Sequence, residues 1–575
     1  MKAAVIPFGD SALLVELDDV AAAHRLVAAL EAERVRGRAP AGFEESVVGF
    51  GNVVVHVDPG VESSEPAAPW VGRVIGDIAD PGPGRPDGAD PAVGGGRRVE
   101  IPVAFDGPDL DEVATGLGTT TGAVVEALCS ADLVVAFLGF SPGFPYLIGL
   151  PPALASVSRR PTPRPSVPAG SVAVAGGFAS VYPTATPGGW RLLGRTSIPL
   201  FDPQRPPYAR LRPGDTVRFT PGDASPPADA APARVTSAPP PGAAFAEVIE
   251  PGLLSLVQDR GRRSSGGLGV PRAGPADPEA MQLANRLMGN PDDTAVIEVT
   301  AAGPTLRMGG ATHLAVVGAG GDPDAVDLRL DGRPVGSAAV VPVGSGQTVA
   351  VGRVRTGLRA YLAVSGGFDV LPELGSRSSD VLCGLGPPPL RVGDRLGLGD
   401  PSRPHGLLLH PTAPHGTGRH HQVRVLPGPH PLTPARYRRL LSQSWVVGRA
   451  SNRIGIRLVP FHTPGRRDGP TAEDTEPAAP APGDLIPSTG MVTGAVQVPP
   501  DGSPIILMPD HATVGGYPVA CCVISTDLRV LGQLAPGDTL SLTVVDAAAA
   551  RRARRQWERA LDERVSGWFP TATGT

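Results

Sequence analysis

A nine-residue pattern recurs three times along the chain and limits its possible folds more than any other sequence feature. LRPGDTVRF (211–219), LRVGDRLGL (390–398) and LAPGDTLSL (534–542) each place a Gly-Asp pair before residues that alternate between apolar and polar. Gly and Asp favour tight turns, and alternation is typical of a half-buried strand. A second related pair, TPGGW (186–190) and TVGGY (513–517), precedes two of these turns. Chance explains a single Gly-Asp turn more easily than the paired elements, so we predict a β-rich module used about three times.

The length of the chain and its proline- and glycine-rich stretches predict several domains. The 575 residues, 41% of them apolar, exceed what one hydrophobic core accommodates. Stretches rich in Pro, Gly, Asp and Ser are typical of linkers. We expect a mainly β protein with this order: an N-terminal α/β domain (1–60), a linker (61–97), a barrel (98–222), a linker (223–243), a barrel (244–400), a loop (401–421), a barrel (422–546), and a C-terminal helix and tail (547–575).

Local signals within these domains predict individual elements. Asp18-Asp19 precede an amphipathic pattern and predict a helix start, while Val53, Val55 and Val57 alternate as expected of a half-buried strand. Asp277 before Pro278 is typical of a helix N-terminus. The chain therefore combines a few capped helices with many short strands.

Charge and composition exclude several classes of protein. The net charge is −5, which argues against nucleic acid or an anionic membrane as the main partner. The four cysteines show no CxxC spacing, and an adjacent pair such as Cys521-Cys522 rarely forms a disulfide. The N-terminus does not resemble a signal peptide, and no apolar run approaches the length of a membrane span. We therefore expect a cytoplasmic protein.

Lys2 is the only lysine in the chain, and arginine supplies the other positive side chains apart from histidine. A Walker-A phosphate loop requires its own lysine, so the body of the protein contains no such loop. A biotinylated lysine and a Schiff-base lysine are excluded on the same ground. Any site that binds an anion through a permanent cation must use arginine.

The first two hundred residues resemble the B subunit of bacterial 5-oxoprolinase, a family also called KipI or allophanate hydrolase subunit 1. The resemblance is carried by IPFGDSALLVEL near the N-terminus, by FLGFSPGFPYLIGLP (137–151), by PRPSVPAGSVAVAGG (163–177) and by YPTATPGGWRLLGRT (182–196). One departure is Cys129, where such sequences often carry a histidine.

The remainder of the chain is similar to the C subunit, or KipA family. The matching segments follow in order: EPGLLSLVQDRGRRSSGGLGVPRAGPADPEAMQLANRLMGNP (250–291), GLRAYLAVSGGFDV (357–370), LGSRSS (374–379), SNRIGIRL (451–458) and GAVQVPPDGSPIILMPDHATVGGYP (494–518). The departures here are Ser488-Thr489 and Asp510-His511. The two resemblances together imply a fusion of the B and C subunits with several cyclophilin-like β-barrel domains.

The resemblance implies that the protein helps to open 5-oxoproline to glutamate with ATP. A five-membered lactam is a poor electrophile, and phosphorylation of its carbonyl oxygen turns that oxygen into a leaving group. A separate A-type subunit of the LamB/YcsF family is implied for the complete reaction. Such chemistry requires cations for phosphate, carboxylates for Mg²⁺ and a cation for the substrate carboxylate.

Polar residues inside these motifs are the candidates for binding the substrate and phosphate, and arginine suits both ligands because its planar fork matches their oxygens. Each candidate also has a structural interpretation, either a surface ion pair, a solvated side chain or support of a turn. The binding candidates are Arg191, Arg195, Arg260, Asn285, Arg453 and Arg457. Arg453 and Arg457 are four residues apart and would point the same way on a strand.

The candidates for acid–base and metal chemistry are three carboxylates and one histidine. Asp259 and Asp510 are the expected catalytic carboxylates, and His511 is a possible base, although a lone histidine near a turn is usually only solvated. Glu298 is the expected ligand of a suspected Mg²⁺ ion.

Two other functions remain open. One is a biotin-dependent carboxyltransferase of the urea carboxylase type, which would need a biotin carboxylase and a biotin carrier supplied by other chains. The other is a regulatory protein that binds a histidine kinase, as the KipI name implies. The carboxyltransferase would act on urea rather than on 5-oxoproline. The regulatory protein would bind a kinase without turning over ATP.

Overall fold

The computed structural model describes residues 2–61, 66–79, 96–223, 239–240, 242–401, 419–461 and 485–565. The mainly β fold with an α/β N-terminal domain is confirmed. The predicted linker 223–243 and the predicted loop 401–421 lie mostly outside the described residues.

The N-terminal domain is an antiparallel sheet packed against two helices. Its elements are β1 (Ala3–Pro7), β2 (Ala12–Leu17), α1 (Val20–Val35), β3 (Phe43–Gly49), β4 (Asn52–Val57) and α2 (Ala67–Ala79), with the strand order β1-β2-β4-β3. Asp19 caps α1, because its carboxylate accepts a hydrogen bond from the Ala22 amide at 2.6 Å. The predicted helix start is therefore confirmed.

Strand β4 is buried on both faces, so the prediction of a half-buried strand is wrong. Val53 and Val55 face the core formed with α1 and α2, as the alternation indicates. Val54 points to the other face, where it packs in a cluster with Met491 and Leu507 of the C-terminal barrel. The second face is covered by a distant part of the chain, which local alternation does not reveal.

Helix α2 lies within the segment that composition predicts as a linker (61–97). Trp70 is fully buried in this helix, and its ring lies 5.1 Å from that of Phe43, centroid to centroid. Val71 and Val74 are buried on the same face. A short apolar helix among prolines and glycines thus completes the N-terminal core, which corrects the linker boundary.

The second domain is a barrel closed by one isolated bridge. It contains β5 (Arg98–Val103), α3 (Leu110–Gly116), α4 (Thr121–Ser130), β6 (Leu133–Leu138), β7 (Pro145–Ile148), α5 (Pro152–Ala155), β8 (Arg164–Val167), β9 (Ser171–Ala175), β10 (Phe178–Val181), β11 (Thr186–Gly188), β12 (Arg191–Arg195) and β13 (Thr216–Pro221). The main sheet has the order β12-β9-β10-β7-β6-β13-β5, and β8 pairs with β11. Ala104 and Arg195 exchange two 2.9 Å backbone hydrogen bonds that join the ends of this order.

The third domain consists of two sheets that enclose one core. Its elements are β14 (Phe245–Glu250), β15 (Leu254–Gln258), α6 (Pro278–Leu287), β16 (Val296–Thr300), β17 (Thr305–Met308), β18 (Thr312–Val317), β19 (Val326–Leu330), β20 (Arg333–Val335), β21 (Val341–Val343), β22 (Thr348–Val354), β23 (Arg359–Val364), β24 (Phe368–Asp369) and β25 (Arg395–Leu398). The strand orders are β20-β19-β22-β17-β14-β25-β24 and β15-β16-β23-β18-β21. Asp277 caps α6 as predicted.

The fourth domain is a closed barrel followed by a helix. It comprises β26 (His420–Pro427), α7 (Pro434–Ser442), β27 (Trp445–Val447), β28 (Gly455–Pro460), β29 (Thr489–Gly490), β30 (Ala495–Gln497), β31 (Ile505–Leu507), β32 (Val514–Gly515), β33 (Val519–Val523), α8 (Leu528–Gln533), β34 (Thr539–Val544) and α9 (Ala547–Val565). The barrel order is β26-β33-β30-β31-β28-β27-β34. Its first strand begins two residues before the predicted boundary at 422.

The recurring Gly-Asp pattern forms the same turn in all three places. The aspartate carboxylate accepts a hydrogen bond from the amide three residues earlier, at 3.0 Å for Asp215, 2.7 Å for Asp394 and 2.8 Å for Asp538. The preceding glycine has a positive φ in each copy, a conformation that favours glycine. The strand that follows pairs in parallel with the first strand of its module in two copies (β13 with β5, and β34 with β26), but β25 pairs antiparallel with β14.

We expect Trp70→Ala to lower the free energy of unfolding by about 3–5 kcal/mol, because the substitution leaves a cavity under α2. Chemical denaturation followed by circular dichroism measures the change. Val35→Ala is the matched control, since Val35 is 77% exposed at the end of α1, and a change of no more than about 0.5 kcal/mol is expected there. Equal stability of Trp70→Ala and the wild type would contradict the assignment of α2 to the core.

Candidate functional site

Arg453 joins the third and fourth domains through a network of buried charges. Its Nε and Nη2 atoms donate to the two carboxylate oxygens of Asp510 at 2.9 and 2.8 Å, and its Nη1 donates to Glu298 Oε1 at 2.6 Å. Nη2 also donates to the Gly274 carbonyl at 2.6 Å. We call Arg453, Glu298 and Asp510 the arginine network; Glu298 and Asp510 are fully buried and Arg453 is 2% exposed.

Local sequence places each member of the arginine network. Asn452 forms a side-chain turn, in which its Oδ1 accepts from the Ile454 amide at 2.9 Å, and this turn presents Arg453 before β28. Asp510 follows β31, and its amide donates to the Arg453 carbonyl at 2.9 Å. Glu298 lies in the middle of β16, where its Oε2 accepts from the amide of Ala276, two residues before α6. Two domains thus contribute to one site.

The charges of this network shift the pKa values of its members in different directions. Burial would raise the pKa of Glu298, but Arg453 and Arg359 outweigh this effect and lower it. Burial raises the pKa of Asp510 despite its contact with Arg453. The two carboxylates hold the pKa of Arg453 above its usual range, although burial opposes this. Glu298 and Arg453 are therefore a charged pair that does not titrate near neutral pH.

Asp259 organises the LGSRSS loop rather than facing open solvent. Its Oδ1 accepts from the hydroxyls of Ser376 and Ser378 at 2.5 and 2.7 Å, and from the Gly261 amide at 2.9 Å. Its Oδ2 accepts from the Arg377 amide at 2.6 Å. Asp259 is an expected catalytic carboxylate, but these hydrogen bonds indicate a positioning role.

Arg262 and Asp380 lie beside this loop with polar atoms that have no partner among the described residues. Arg262 is fully buried, and its Nη2 donates to the Ser378 carbonyl at 2.6 Å, whereas Nε and Nη1 bond to nothing described. Asp380 Oδ1 accepts from the amides of Leu382 and Cys383 at 2.9 and 3.0 Å, but Oδ2 has no partner. Burial, aided by the charge of Asp510, raises the pKa of Asp380 to about 7. Neither residue is among the candidates predicted from the sequence.

A cleft of about 720 Å³ lies next to Arg262 and is formed by both halves of the chain. The B-type barrel contributes residues 203, 204, 206 and 208, and the C-type half contributes 263–265, 371–375 and 386–387. Ser264 and Leu374 on its wall have φ values of 80° and 53°, which are unusual for residues with a side chain. Strained backbone of this kind is frequent at functional sites.

His511 is buried at the contact between the N-terminal domain and the C-terminal barrel. One ring nitrogen, Nδ1, lies 2.8 Å from the Ala512 carbonyl. Burial lowers the pKa of His511 to about 4, and it also lowers that of His56, which interacts with it. His511 is 4% exposed, which indicates a structural group; its role as a base stays a prediction.

The other predicted binding residues do not converge on one site. Arg191 pairs with Glu112 at 2.6 Å, and Arg195 pairs with Asp106 at 2.8 Å, both on the B-type barrel. Arg260 pairs with Asp58 of the N-terminal domain at 3.1 Å.

Asn285 and Arg457 have simple structural placements. Asn285 Nδ2 donates to the Thr294 carbonyl at 2.9 Å and ties the end of α6 to the next loop. Arg457 is exposed, whereas Arg453 is buried. The prediction that the two arginines share a strand face is wrong, because Arg453 precedes β28 and lies in a turn.

Glu298 does not fit the role of a Mg²⁺ ligand in this arrangement. Its Oε1 accepts from Arg453, and its Oε2 accepts from the Ala276 amide at 2.9 Å and the Tyr361 hydroxyl at 2.8 Å. Within the described part of the chain, no group of three or more His, Cys, Asp or Glu side chains could hold a metal ion. A cation at Glu298 would have to displace Arg453.

Comparison with protein families shows two carboxyltransferase-type modules in one chain. Residues 3–211 match the family described as carboxyltransferase domain, subdomain C and D, and residues 268–544 match carboxyltransferase domain, subdomain A and B. The fold and its interdomain site therefore define a tandem carboxyltransferase-domain protein.

Relatives with curated names match the two halves separately. The C subunit of 5-oxoprolinase from Escherichia coli K12 is 31% identical over 322 residues, which are 55% of this chain and 96% of that protein. The B subunit from E. coli O157:H7 is 54% identical over 128 residues, which are 22% of this chain and 58% of that protein. The urea amidolyase of Lachancea kluyveri is 30% identical over 351 residues, 57% of this chain but only 18% of that protein.

A solved structure matches nearly the whole chain. The crystal structure of TTHA0988 has a TM-score of 0.76 and 34% identity, and the match covers 94% of this chain and 99% of that one. This chain belongs to the family in which the B-type and C-type subunits of 5-oxoprolinase are fused. In the described residues, no helix is both long and apolar enough to cross a membrane.

We expect Arg453→Met to lower the free energy of unfolding by about 3–5 kcal/mol, because Asp510 would remain buried without its cation and Glu298 would keep only Arg359, at 3.5 Å. Thermal and chemical denaturation of the full chain measure the loss. Arg457→Met is the control in the same segment, and its exposed side chain predicts a change within about 0.5 kcal/mol. A silent Arg453→Met would mean that the network contributes nothing to stability.

The neutral His511 predicts a pH-dependent contribution to stability. Its pKa is about 4 in the folded protein and about 6.5 when unfolded, so the unfolded chain binds the proton more tightly. As the pH falls from about 6.5 to 4, the wild type should lose on the order of 3 kcal/mol relative to His511→Gln. Urea titrations across this range measure the difference, with the exposed His313→Gln as control. Parallel pH profiles of the wild type and His511→Gln would refute this.

Proposed function

We propose that this chain supplies both the B-type and the C-type components of an ATP-dependent 5-oxoprolinase. The observation that carries the proposal is that one chain contains both a segment 54% identical to a B subunit and a segment 31% identical to a C subunit. The proposed reaction converts 5-oxo-L-proline to L-glutamate.

The chemistry of the substrate explains the need for ATP. Transfer of the terminal phosphoryl group to the lactam carbonyl oxygen makes that oxygen part of a good leaving group. Water then attacks the ring carbon, the C–N bond breaks, the ring nitrogen takes up a proton, and a second water releases the phosphate. The products are glutamate, ADP and phosphate.

A separate A-type subunit of the LamB/YcsF family is part of the proposal. The relatives that match this chain are named as subunits, which supports an assembly with further chains. The single lysine at position 2 leaves no Walker-A loop. Mg²⁺ would accompany the nucleotide rather than reside at Glu298, because both oxygens of that carboxylate are already bonded. We assign the reaction to the cytoplasm, where ATP is available.

The structure offers a physical reason to fuse the two types of subunit. The cleft beside Arg262 has walls from the B-type barrel and from the C-type half. A covalent tether keeps two such surfaces at roughly millimolar effective concentration. A substrate site formed between them is therefore complete in every molecule.

A biotin-dependent carboxyltransferase is the second candidate function. The family descriptions name a carboxyltransferase domain, and a urea amidolyase matches 57% of this chain. That match covers only 18% of the urea amidolyase, so a carboxylase and a biotin carrier would have to come from other chains. The third possibility, a protein that only binds a histidine kinase, predicts no turnover.

The test combines the full chain with an A-type subunit, ATP, Mg²⁺ and 5-oxoproline, and measures phosphate and glutamate. We expect the two products in a one-to-one ratio, and none when either protein is omitted. A parallel reaction with urea, bicarbonate, ATP, a biotin carboxylase and a biotinylated carrier tests the carboxyltransferase. The proposal fails if the complete mixture leaves 5-oxoproline intact and releases no phosphate above the protein-free control.

A further inference from the structure

Helix α9 carries a row of arginines on the side opposite its buried side. Its buried side packs on the third and fourth domains through Ala550, Ala553 and Leu561. The four exposed arginines are Arg551, Arg552, Arg555 and Arg559. Residues three and four apart are neighbours on a helix surface, so these side chains lie along one face. We call the four residues the arginine face.

The arginine face has no counter-charge in its own molecule. Other arginines of α9 are paired, since Arg554 contacts Glu558 at 2.7 Å and Arg564 contacts Glu279 at 2.9 Å. None of the four arginines of the face forms an ion pair or a hydrogen bond with a described residue. Four like charges within about 12 Å of helix repel one another. An acidic partner would relieve this repulsion.

A groove of about 780 Å³ has the opposite charge. It lies where the N-terminal domain meets the B-type barrel and the fourth domain. Glu16, Asp18 and Asp19 line it, and its lining residues include neither arginine nor lysine. Most of the other lining residues are apolar, among them Phe50, which is 41% exposed. We call this cavity the acidic groove.

No cation among the described residues compensates the carboxylates of the acidic groove. Asp18 accepts from the backbone amide of Lys2 at 2.8 Å, and Asp19 accepts from that of Ala22 at 2.6 Å, so both donors are neutral. The N-terminus of α1 supplies only about half a positive charge. Burial lowers the pKa of His430, also on the wall, to about 4, so that its ring is neutral near pH 7.

The arginine face and the acidic groove of one molecule lie too far apart to meet. Asn52, at the start of β4, lines the groove, whereas Val57 ends this strand and leads to Gly60. A Cβ atom on Gly60 would lie 2.2 Å from Nη2 of Arg554 on α9. The five residue steps of β4 alone span about 17 Å. Contact between the two surfaces therefore requires two molecules.

We propose that the arginine face of one copy docks in the acidic groove of a second copy of this chain. Guanidinium groups would pair with the three carboxylates, and their apolar stems would cover the walls of the groove. A guanidinium is also attracted to the face of an aromatic ring such as that of Phe50. Nucleic acid and anionic membranes are less suitable partners, because the net charge of the chain is −5.

The size of the contact predicts a weak, salt-sensitive association. Exposed ion pairs contribute little individually, and the arginine face is only about 12 Å long. We expect a dissociation constant on the order of 10 μM. Raising NaCl from about 0.05 to 0.5 M should weaken the association about tenfold, because salt screens exposed charges. Sedimentation velocity of the full chain at about 5–100 μM measures both quantities.

Two charge-reversed variants provide the decisive test. Arg555→Glu with Arg559→Glu reverses the arginine face, and Glu16→Arg with Asp18→Arg reverses the acidic groove. Each variant alone would oppose like charges, so its self-association should weaken at least about tenfold. An equal mixture of the two should associate about as well as the wild type, because every contact then joins opposite charges. Damage to the fold cannot produce this restoration.

The matched control has the same change in net charge at another surface. Arg307→Glu with Arg333→Glu reverses two exposed arginines of the third domain. This variant should associate as the wild type does. Circular dichroism verifies the fold of each variant, and the salt and concentration series of the wild type tests the proposal even if a variant does not fold.

Several results would overturn the proposal. These are a monomeric wild type at low salt, an association that salt does not weaken, an equal loss in the control variant, and a mixture that associates no better than its components. A monomeric wild type would leave the arginine face to another acidic molecule, such as a partner protein or a nucleic acid. No measurement here uses 5-oxoproline or ATP, so the result is independent of the proposed function.

Discussion

The buried contact of Arg453 with Glu298 and Asp510 is the interaction on which the C-type half depends. It places two carboxylates from different domains within 3 Å of one guanidinium, in a region closed to water. Charges buried in this way demand accurate geometry, because loss of one partner leaves the others uncompensated. The third and fourth domains therefore have a defined relative position.

The N-terminal domain is attached by a different kind of contact. Val54 packs against the fourth domain through the second face of β4, while Glu44 and Asp58 pair with arginines of the segment that follows Asp259. Apolar burial supplies most of the attraction, and the surrounding ion pairs select the orientation. A B-type segment and a C-type segment thus share both a core and a polar boundary, although they lie far apart in the sequence.

Elements whose causes are local can be predicted from the sequence, and those that depend on distant partners cannot. The cap at Asp277 and the repeated Gly-Asp turn follow from neighbouring residues, so both are predictable. The helix around Trp70 is hidden in a segment rich in proline and glycine. Motif membership draws attention to Glu298, Arg453 and Asp510, but not to the fact that they form one network. Arg262 could be predicted from the sequence, because it lies three residues after Asp259 in the same motif. Nothing in SSDVLCG distinguishes Asp380.

The parallel pairing of the first and last strands has a consequence for synthesis of the chain. β5 cannot complete its ladder until β13 exists, and β26 must wait in the same way for β34. More than a hundred residues separate the members of each pair, and contacts so distant form slowly. On the ribosome each of these barrels would remain open until its final strand leaves the exit tunnel, exposing an unpaired edge to other nascent chains. Each barrel therefore stops exposing this unpaired edge only when its closing strand has left the exit tunnel, even if its core residues have left earlier.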